Sequence, residues 1–198
     1  MLAPQPIMKN ILKKFFDRKK ITNQNHLEFE KLKNQPEIKK VFEAISNFSS
    51  DSEIRYVGGC IRKILNNEKI DDIDLSTNIR PEETILALKK NQINFFETGI
   101  KHGTITAIIN QRKFEITSLR KDINTDGRHA EVEFSKNWKE DALRRDFTFN
   151  SIYADLDGNL FDPFNGVDDL KNGNINFIGD ANLRIKEDYL RILRYIRF

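Results

Sequence analysis

Residues 54–77 read IRYVGGCIRKILNNEKIDDIDLST, and the reading of this stretch decides the fold. Ile54 to Val57 form a short strand that runs into Gly58-Gly59. Residues 60–67 follow as a helix, and 72–77 form a second strand with alternating faces. Within that strand Asp72 and Asp74 are two positions apart, so both carboxylates project to one face while Ile73 and Leu75 point to the other. Two carboxylates so close repel unless a cation lies between them, and Mg²⁺ favours hard oxygen ligands together with substrate phosphates. Alone, the Asp-x-Asp pair also reads as a turn-proximal acidic patch. Glycines between a strand and a helix let backbone N–H groups approach a phosphate, and Arg62 can add a charge-assisted pair. Alone, this segment also reads as a tight strand-to-helix turn.

Upstream, Ile38, Val41, Phe42, Ile45 and Phe48 have helical spacing, ending at Ser49-Ser50-Asp51-Ser52. Residues 1–8 carry two prolines and form a loose tail. Lys9 to Lys20 is basic, either a solvated helix or an organelle-targeting segment, and lacks the apolar core of a secretory signal. Downstream, Pro81 opens a helix to about Lys90. Residues 103–110 and 112–119 are strands placed to pair antiparallel. The polar stretch Lys121 to Glu131 is a loop, either a mobile lid or plain surface. A helix at 137–144, strands near 152–156 and at 159–161, and a helix over 186–198 complete the pattern. The last helix is still running at Phe198, which points to a fragment.

The fold class is therefore mixed α+β, with helices around one small sheet. We divide the chain into an N-terminal helical extension (1–50), a head domain (51–165) and the start of a helical neck (166–198). A 38% apolar share suffices for a core, whereas a net charge of +3 does not by itself demand nucleic acid. One cysteine, Cys60, excludes an intramolecular disulfide and a multi-cysteine zinc site and makes a cytoplasmic location the default. No apolar run reaches the ~20 residues of a membrane span. The sequence is silent on oligomeric state.

The order Gly58-Gly59-x-x-Arg62, then Asp72-x-Asp74, resembles the polymerase-β-like nucleotidyltransferases. Specifically it resembles the class II branch that holds CCA-adding tRNA nucleotidyltransferases and bacterial poly(A) polymerases. Four further segments agree: Lys101-His102-Gly103-Thr104; Arg144-Arg145-Asp146-Phe147-Thr148-Phe149-Asn150-Ser151; Asp162-Pro163-Phe164-Asn165-Gly166; and Glu187-Asp188-Tyr189-Leu190-Arg191-Ile192-Leu193-Arg194. The resemblance spans about Ile54 to Phe198. It implies a nucleotidyltransferase head, two Mg²⁺ ions on Asp72 and Asp74, and addition of CMP and AMP from CTP and ATP to the 3′ end of tRNA. It further implies that Gly58, Gly59 and Arg62 bind the triphosphate. Arg144, Arg145, Asp146 and Asn150 would bind ribose and triphosphate, with Asp141 one helical turn before the arginines placed to pair with them. Glu187, Asp188, Arg191 and Arg194 would read the base. An accepting Asp beside a donating Arg matches the amine donor and ring-nitrogen acceptor of cytosine and adenine, and mismatches uracil and guanine. Without the resemblance, these last two clusters read as surface ion pairs.

Glu115, facing away from apolar Phe114 and Ile116, is a candidate third carboxylate. Lys63 departs from the family pattern, which has Asp at that position. The support such an Asp would give Arg62 is then missing or supplied elsewhere, and Lys63 is itself a candidate phosphate contact. Poly(A) synthesis, or a truncated RNA-binding remnant without catalysis, stands as the alternative reading.

Overall fold

A computed structural model describes residues 22–126 and 129–198. The N-terminal tail and the basic segment Lys9 to Lys20 lie outside the described residues, as does Gly127. The chain builds a mixed sheet of seven strands in the order β3-β4-β5-β2-β1-β8-β9, and a separate two-stranded ribbon β6-β7. The strands are β1 (Ile54–Val57), β2 (Asp74–Thr77), β3 (Asn94–Gly99), β4 (Thr104–Ile109), β5 (Arg112–Ser118), β6 (Arg120–Asp126), β7 (His129–Phe134), β8 (Tyr153–Ala154) and β9 (Leu160–Phe161). The helices are α1 (Asn23–Lys33), α2 (Pro36–Ser46), α3 (Gly59–Leu65), α4 (Pro81–Lys90), α5 (Trp138–Leu143), α6 (Gly166–Asn172), α7 (Ala181–Glu187) and α8 (Leu190–Arg197).

The centre of the sheet is where the opening stretch lies. β1 pairs antiparallel with β2, Tyr56 facing Leu75, and β2 pairs parallel with β5, placing Asp74 opposite Glu115. Tyr56, Leu75, Phe114 and Ile116 are buried between the sheet and its helices. Residues 104–109 and 112–118 pair antiparallel as the alternation predicts, and Asn110 and Gln111 take positive φ to make the turn. Turns of that hand suit a two-residue hairpin connection.

The N-terminal helices join this same core. Thr22 caps α1 by accepting from the Asn25 backbone N–H, while Pro36 opens α2 at a position that has no N–H to lose. Phe29 packs at 6.0 Å from the Tyr56 ring and Phe42 at 4.8 Å, so α1 and α2 cover the face behind β1. Arg112 donates to the Gln35 side chain, and Asn110 donates to Glu37 at 2.9 Å, which pins the β4–β5 hairpin to the α1–α2 corner.

Three elements differ from the sequence reading. The second strand begins at Asp74, not Asp72: its pairing with β1 reaches only Leu75 and its pairing with β5 starts at Asp74↔Glu115. Lys121 to Glu131 is not a loop: its described residues belong to the β6-β7 ribbon, in register from Arg120↔Phe134 to Asp126↔His129. The ribbon stands outside the main sheet and carries the polar composition of a loop. The helix expected over 186–198 is broken at Asp188, whose backbone is extended (φ −154°, ψ 105°), into α7 and α8. The Asp188 carboxylate accepts the Leu190 N–H at 3.0 Å, the local bond that lets a new helix start.

Candidate functional site

At the end of β1, Gly58 turns the chain with φ +68° and ψ −126°, a conformation open to glycine and strained for other residues. A side chain there would come within 3.9 Å of Asp74 Oδ2 and of Arg145 Nη1, while one on Gly59 would meet nothing within 4 Å. The backbone therefore faces open space between an acid and a base. That space is a cavity of about 460 Å³ lined by Gly58, Gly59, Arg62, Asp74, Arg144, Arg145, Asp146, Asn150, Asp188, Arg191, Arg194, Arg197 and Phe198. Residues more than a hundred positions apart converge here because α3, the Thr148–Asn150 turn and α8 meet over the end of the sheet.

Six arginines and three aspartates line the cavity, an imbalance that suits a polyanion. Burial, and then the like charges of Arg197 and Arg194, push the Arg62 guanidinium below its ordinary value. Arg62 donates to Asn150 Oδ1 at 2.8 Å, Asn150 donates to Asp146 Oδ1 at 3.0 Å, and Arg194 donates to Asp146 Oδ2 at 2.6 Å. This chain of bonds joins the phosphate turn, the ribose candidates and the last helix. Burial would raise the Asp146 carboxyl, but its bonds from Asn150 and Arg194 and the Arg194 charge outweigh that and hold it low.

Arg144 and Arg145 are held from behind. Asp141, fully buried, accepts from Arg144 Nε at 2.9 Å, from Arg145 Nη2 at 3.0 Å and from the Tyr153 hydroxyl at 2.6 Å. From the other side Arg184 donates to the backbone carbonyls of Arg144 and Arg145. Both arginines thus enter the cavity pre-oriented, at little further entropic cost on binding.

The carboxylates are less symmetric than their spacing suggests. Asp74 is half-buried, Asp72 is exposed on the approach to β2, and Glu115 is exposed beside Asp74 on β5. Burial, then Glu115 and Asp72, push the Asp74 carboxyl upward, against the opposing pull of Arg145. No hydrogen bond among the described residues reaches the Asp74 carboxylate oxygens. A half-buried carboxylate without a donor, raised by two neighbouring carboxylates, is an oxygen donor set that fits a hard divalent cation. Among the described residues no group of three or more His, Cys, Asp or Glu side chains forms a metal cage. A Mg²⁺ site completed by substrate phosphates needs only one or two carboxylates, so the fit holds.

Asp72, Glu115 and Glu187 do not line the cavity. Glu187, expected to read a base, instead pairs with Arg191 Nη1 at 2.7 Å and with Arg184, and so braces Arg191. Lys63, a candidate phosphate contact, points elsewhere and pairs with Asp71 at 2.7 Å. Arg62 is held instead by Asn150, whose Oδ1 accepts from it at 2.8 Å. The sequence reading missed Arg184, Arg197 and Phe198. Arg197 was legible, since Arg191, Arg194 and Arg197 recur every three residues on one helical strip. Phe198, 4.6 Å below the Arg62 guanidinium, carried no such signal.

A small mixed sheet with a glycine turn after its first strand, an acid at the start of the second, and arginines closing over both is the construction of a nucleotidyltransferase head. Residues 54–176 match the family model described as the poly A polymerase head domain, and the chain belongs to that family. It is 52% identical over 147 residues to human "CCA tRNA nucleotidyltransferase 1, mitochondrial", covering 74% of this chain and 34% of the relative. It is 40% identical over 148 residues to the "CCA-adding enzyme" of Lactobacillus helveticus, covering 74% of this chain and 36% of that one. The crystal structure of the Bacillus stearothermophilus CCA-adding enzyme in complex with CTP superposes with a TM-score of 0.71 at 30% identity, over 83% of this chain and 39% of the other. A tRNA nucleotidyltransferase complexed with a primer tRNA and an incoming ATP analog gives a TM-score of 0.61 at 28% identity, over 75% of this chain and 42% of the other. The chain thus spans about a third of the length of these curated relatives. No helix among the described residues is long and apolar enough to cross a membrane.

Proposed function

We propose that this chain is the catalytic part of an enzyme that adds CMP and AMP, from CTP and ATP, to the 3′ end of tRNA. The observation that carries the proposal is the one cavity wall shared by Gly58, Gly59, Arg62, the Arg144–Asn150 group, Asp188 and Arg191. The names of its relatives, and the CTP and primer tRNA in the titles of two structural neighbours, support the same reading.

In this reading the RNA 3′-hydroxyl attacks the α-phosphate of the bound nucleotide and pyrophosphate leaves. Gly58 and Gly59 let the backbone approach the triphosphate, and Arg62, Arg144 and Arg145 offset its charge. Asp146 and Asn150, already bonded to each other, present acceptor and donor groups to the ribose hydroxyls. Asp188 accepts from the exocyclic amine of cytosine or adenine, and Arg191 donates to the adjacent ring nitrogen. Arg191 Nη1 is occupied by Glu187 and by the Arg184 carbonyl, so its other N–H groups serve the cavity. Arg194, through Asp146, ties base reading to ribose reading. Asp72 and Asp74, with Glu115 beside them, would hold Mg²⁺, which when bound supplies positive charge to the reacting phosphates and lowers the cost of hydroxyl deprotonation. We further propose that α8 begins the helical neck. Cytoplasmic residence is also a proposal, to be weighed against the mitochondrial relatives by imaging the tagged full-length protein.

The test is incorporation of labelled nucleotide into tRNA lacking its CCA end, using a full-length version with CTP alone, ATP alone, and both. The reading predicts CMP addition first and AMP addition after it. AMP addition to generic RNA from ATP alone, with no use of CTP, would replace it with poly(A) synthesis. Asp72→Ala and Asp74→Ala should each abolish incorporation.

A further inference from the structure

Lys63 sits where the phosphate-turn motif departs from its family, and its side chain is turned from the cavity toward the connector that delivers Asp72. Asp72 lies outside β2 and has no ladder bond to fix it, whereas Asp74 is held by its pairing with Glu115 on β5. We propose that Lys63 is a positioning residue whose ion pair with Asp71 holds the connector 66–73 and thereby sets the carboxylate of Asp72. The inference rests on the reading of Asp72 and Asp74 as divalent-cation ligands.

The connector is anchored at its start and its end, and in between Ile70 packs against the core. Asn67 adopts positive φ (58°), and the buried Asn25 on α1 donates to Ile64 O at 2.7 Å and to Asn67 Oδ1 at 3.3 Å. Glu68 N–H donates to Lys63 O at 2.8 Å, and at the far end Ile73 is buried in the core. Between Glu68 and Ile73, the hydrogen-bonded tie among the described residues is Lys63 Nζ to Asp71 Oδ2, at 2.7 Å. It is partly covered, with the Lys63 side chain 28% exposed and Asp71 58% exposed. Asp71 is the residue directly before Asp72, so a tie there restricts the backbone torsions on which the Asp72 direction depends.

An exposed pair of this kind shifts an equilibrium by a factor of about 1.4 to 5. The probe is Mn²⁺, titrated into the free chain and read by electron paramagnetic resonance, with no turnover involved. Lys63→Met combined with Asp71→Asn removes the tie and leaves the net charge unchanged. We expect the Mn²⁺ dissociation constant to rise about 1.4- to fivefold, with deuterium uptake quickened within 66–73 and the melting temperature unmoved. Lys63→Asp combined with Asp71→Lys should restore parental Mn²⁺ affinity, which a loss of general stability would not explain. Parental affinity in the neutral double variant, or an exchanged pair no better than the neutral one, overturns the inference. Asp74→Asn separates the two levels: loss of Mn²⁺ binding upholds the metal reading independently of the tie. Unchanged Mn²⁺ binding in Asp74→Asn removes the metal reading and this inference with it.

Discussion

Replacing Asp141 with Asn tests whether the two arginines at the back of the cavity are held by charge. Asp141 is fully buried, and the side chains of Arg144 and Arg145 are each 16% exposed. Its oxygens take bonds from both guanidiniums and from Tyr153. Asn keeps the shape and one acceptor oxygen, but removes the carboxylate that ion-pairs with both arginines. Breaking one side of a buried ion pair costs about 3–5 kcal/mol, because the partner charge stays desolvated. The retained acceptor favours the lower figure, about 3 kcal/mol. For a chain of this size that corresponds to a fall of roughly 6–12 °C in melting temperature. Urea unfolding at pH 7, followed by the fluorescence of Trp138, the single tryptophan, reads the loss directly, since its ring lies 5.3 Å from Tyr153. The pH dependence has a definite sign. Burial would raise the Asp141 carboxyl, but Arg145, Arg144 and the Tyr153 hydroxyl outweigh it and hold it well below the usual carboxylate range. A depressed folded-state value gives stability that is present above the unfolded value of about 4 and is lost as pH falls through the folded one. The advantage of the parent over Asp141→Asn should therefore be constant from pH 5 upward and shrink below about pH 4. A loss under about 1 kcal/mol at pH 7, against the 3–5 expected of a broken buried pair, would refute the reasoning.

Two further outcomes follow from the same geometry. Phe29→Ala should cost about 3–5 kcal/mol in urea unfolding, because the ring is fully buried against Tyr56 although α1 precedes the family match; a cost near zero would detach α1 from the core. Asn150→Ala removes the side-chain acceptor of Arg62 and a donor to Asp146, bonds to charged groups worth about 1.5–3 kcal/mol. CTP and ATP affinity, measured by calorimetry, should fall together by about tenfold or more with their ratio unchanged.

Most of the head was legible because its strands carry their own signal. Ile54–Val57, the 104–118 hairpin and the helix from Pro81 show local alternation or periodicity that the sheet then uses. What escaped depends on partners. Asp72 alternates with Asp74 in sequence, but a strand needs partners, and the pairing of β2 stops at Leu75 on the β1 side and at Asp74 on the β5 side. The ribbon at 120–134 looked like a loop because its sequence is polar and turn-rich; its Lys121–Glu133 pair at 3.0 Å is legible only once the register is known. The break at Asp188 was readable in principle, since Asp before a helical run is a cap signal. The unbroken apolar and basic run from 189 to 198 concealed it. Of the candidate site, the glycine turn, the Arg144–Asn150 group, Asp188, Arg191 and Arg194 meet at one cavity. Glu187 and Lys63 turn instead to neighbours that lie close only in the fold, Arg184 and Asp71.

The central claim is that this cavity distinguishes bases without a nucleic-acid template. Calorimetric titration of the chain with CTP, ATP, GTP and UTP in the presence of Mg²⁺ tests it most directly. The account predicts binding of CTP and ATP, little of GTP and UTP, and loss of that preference in Asp188→Ala. Equal binding of all four nucleotides would contradict it.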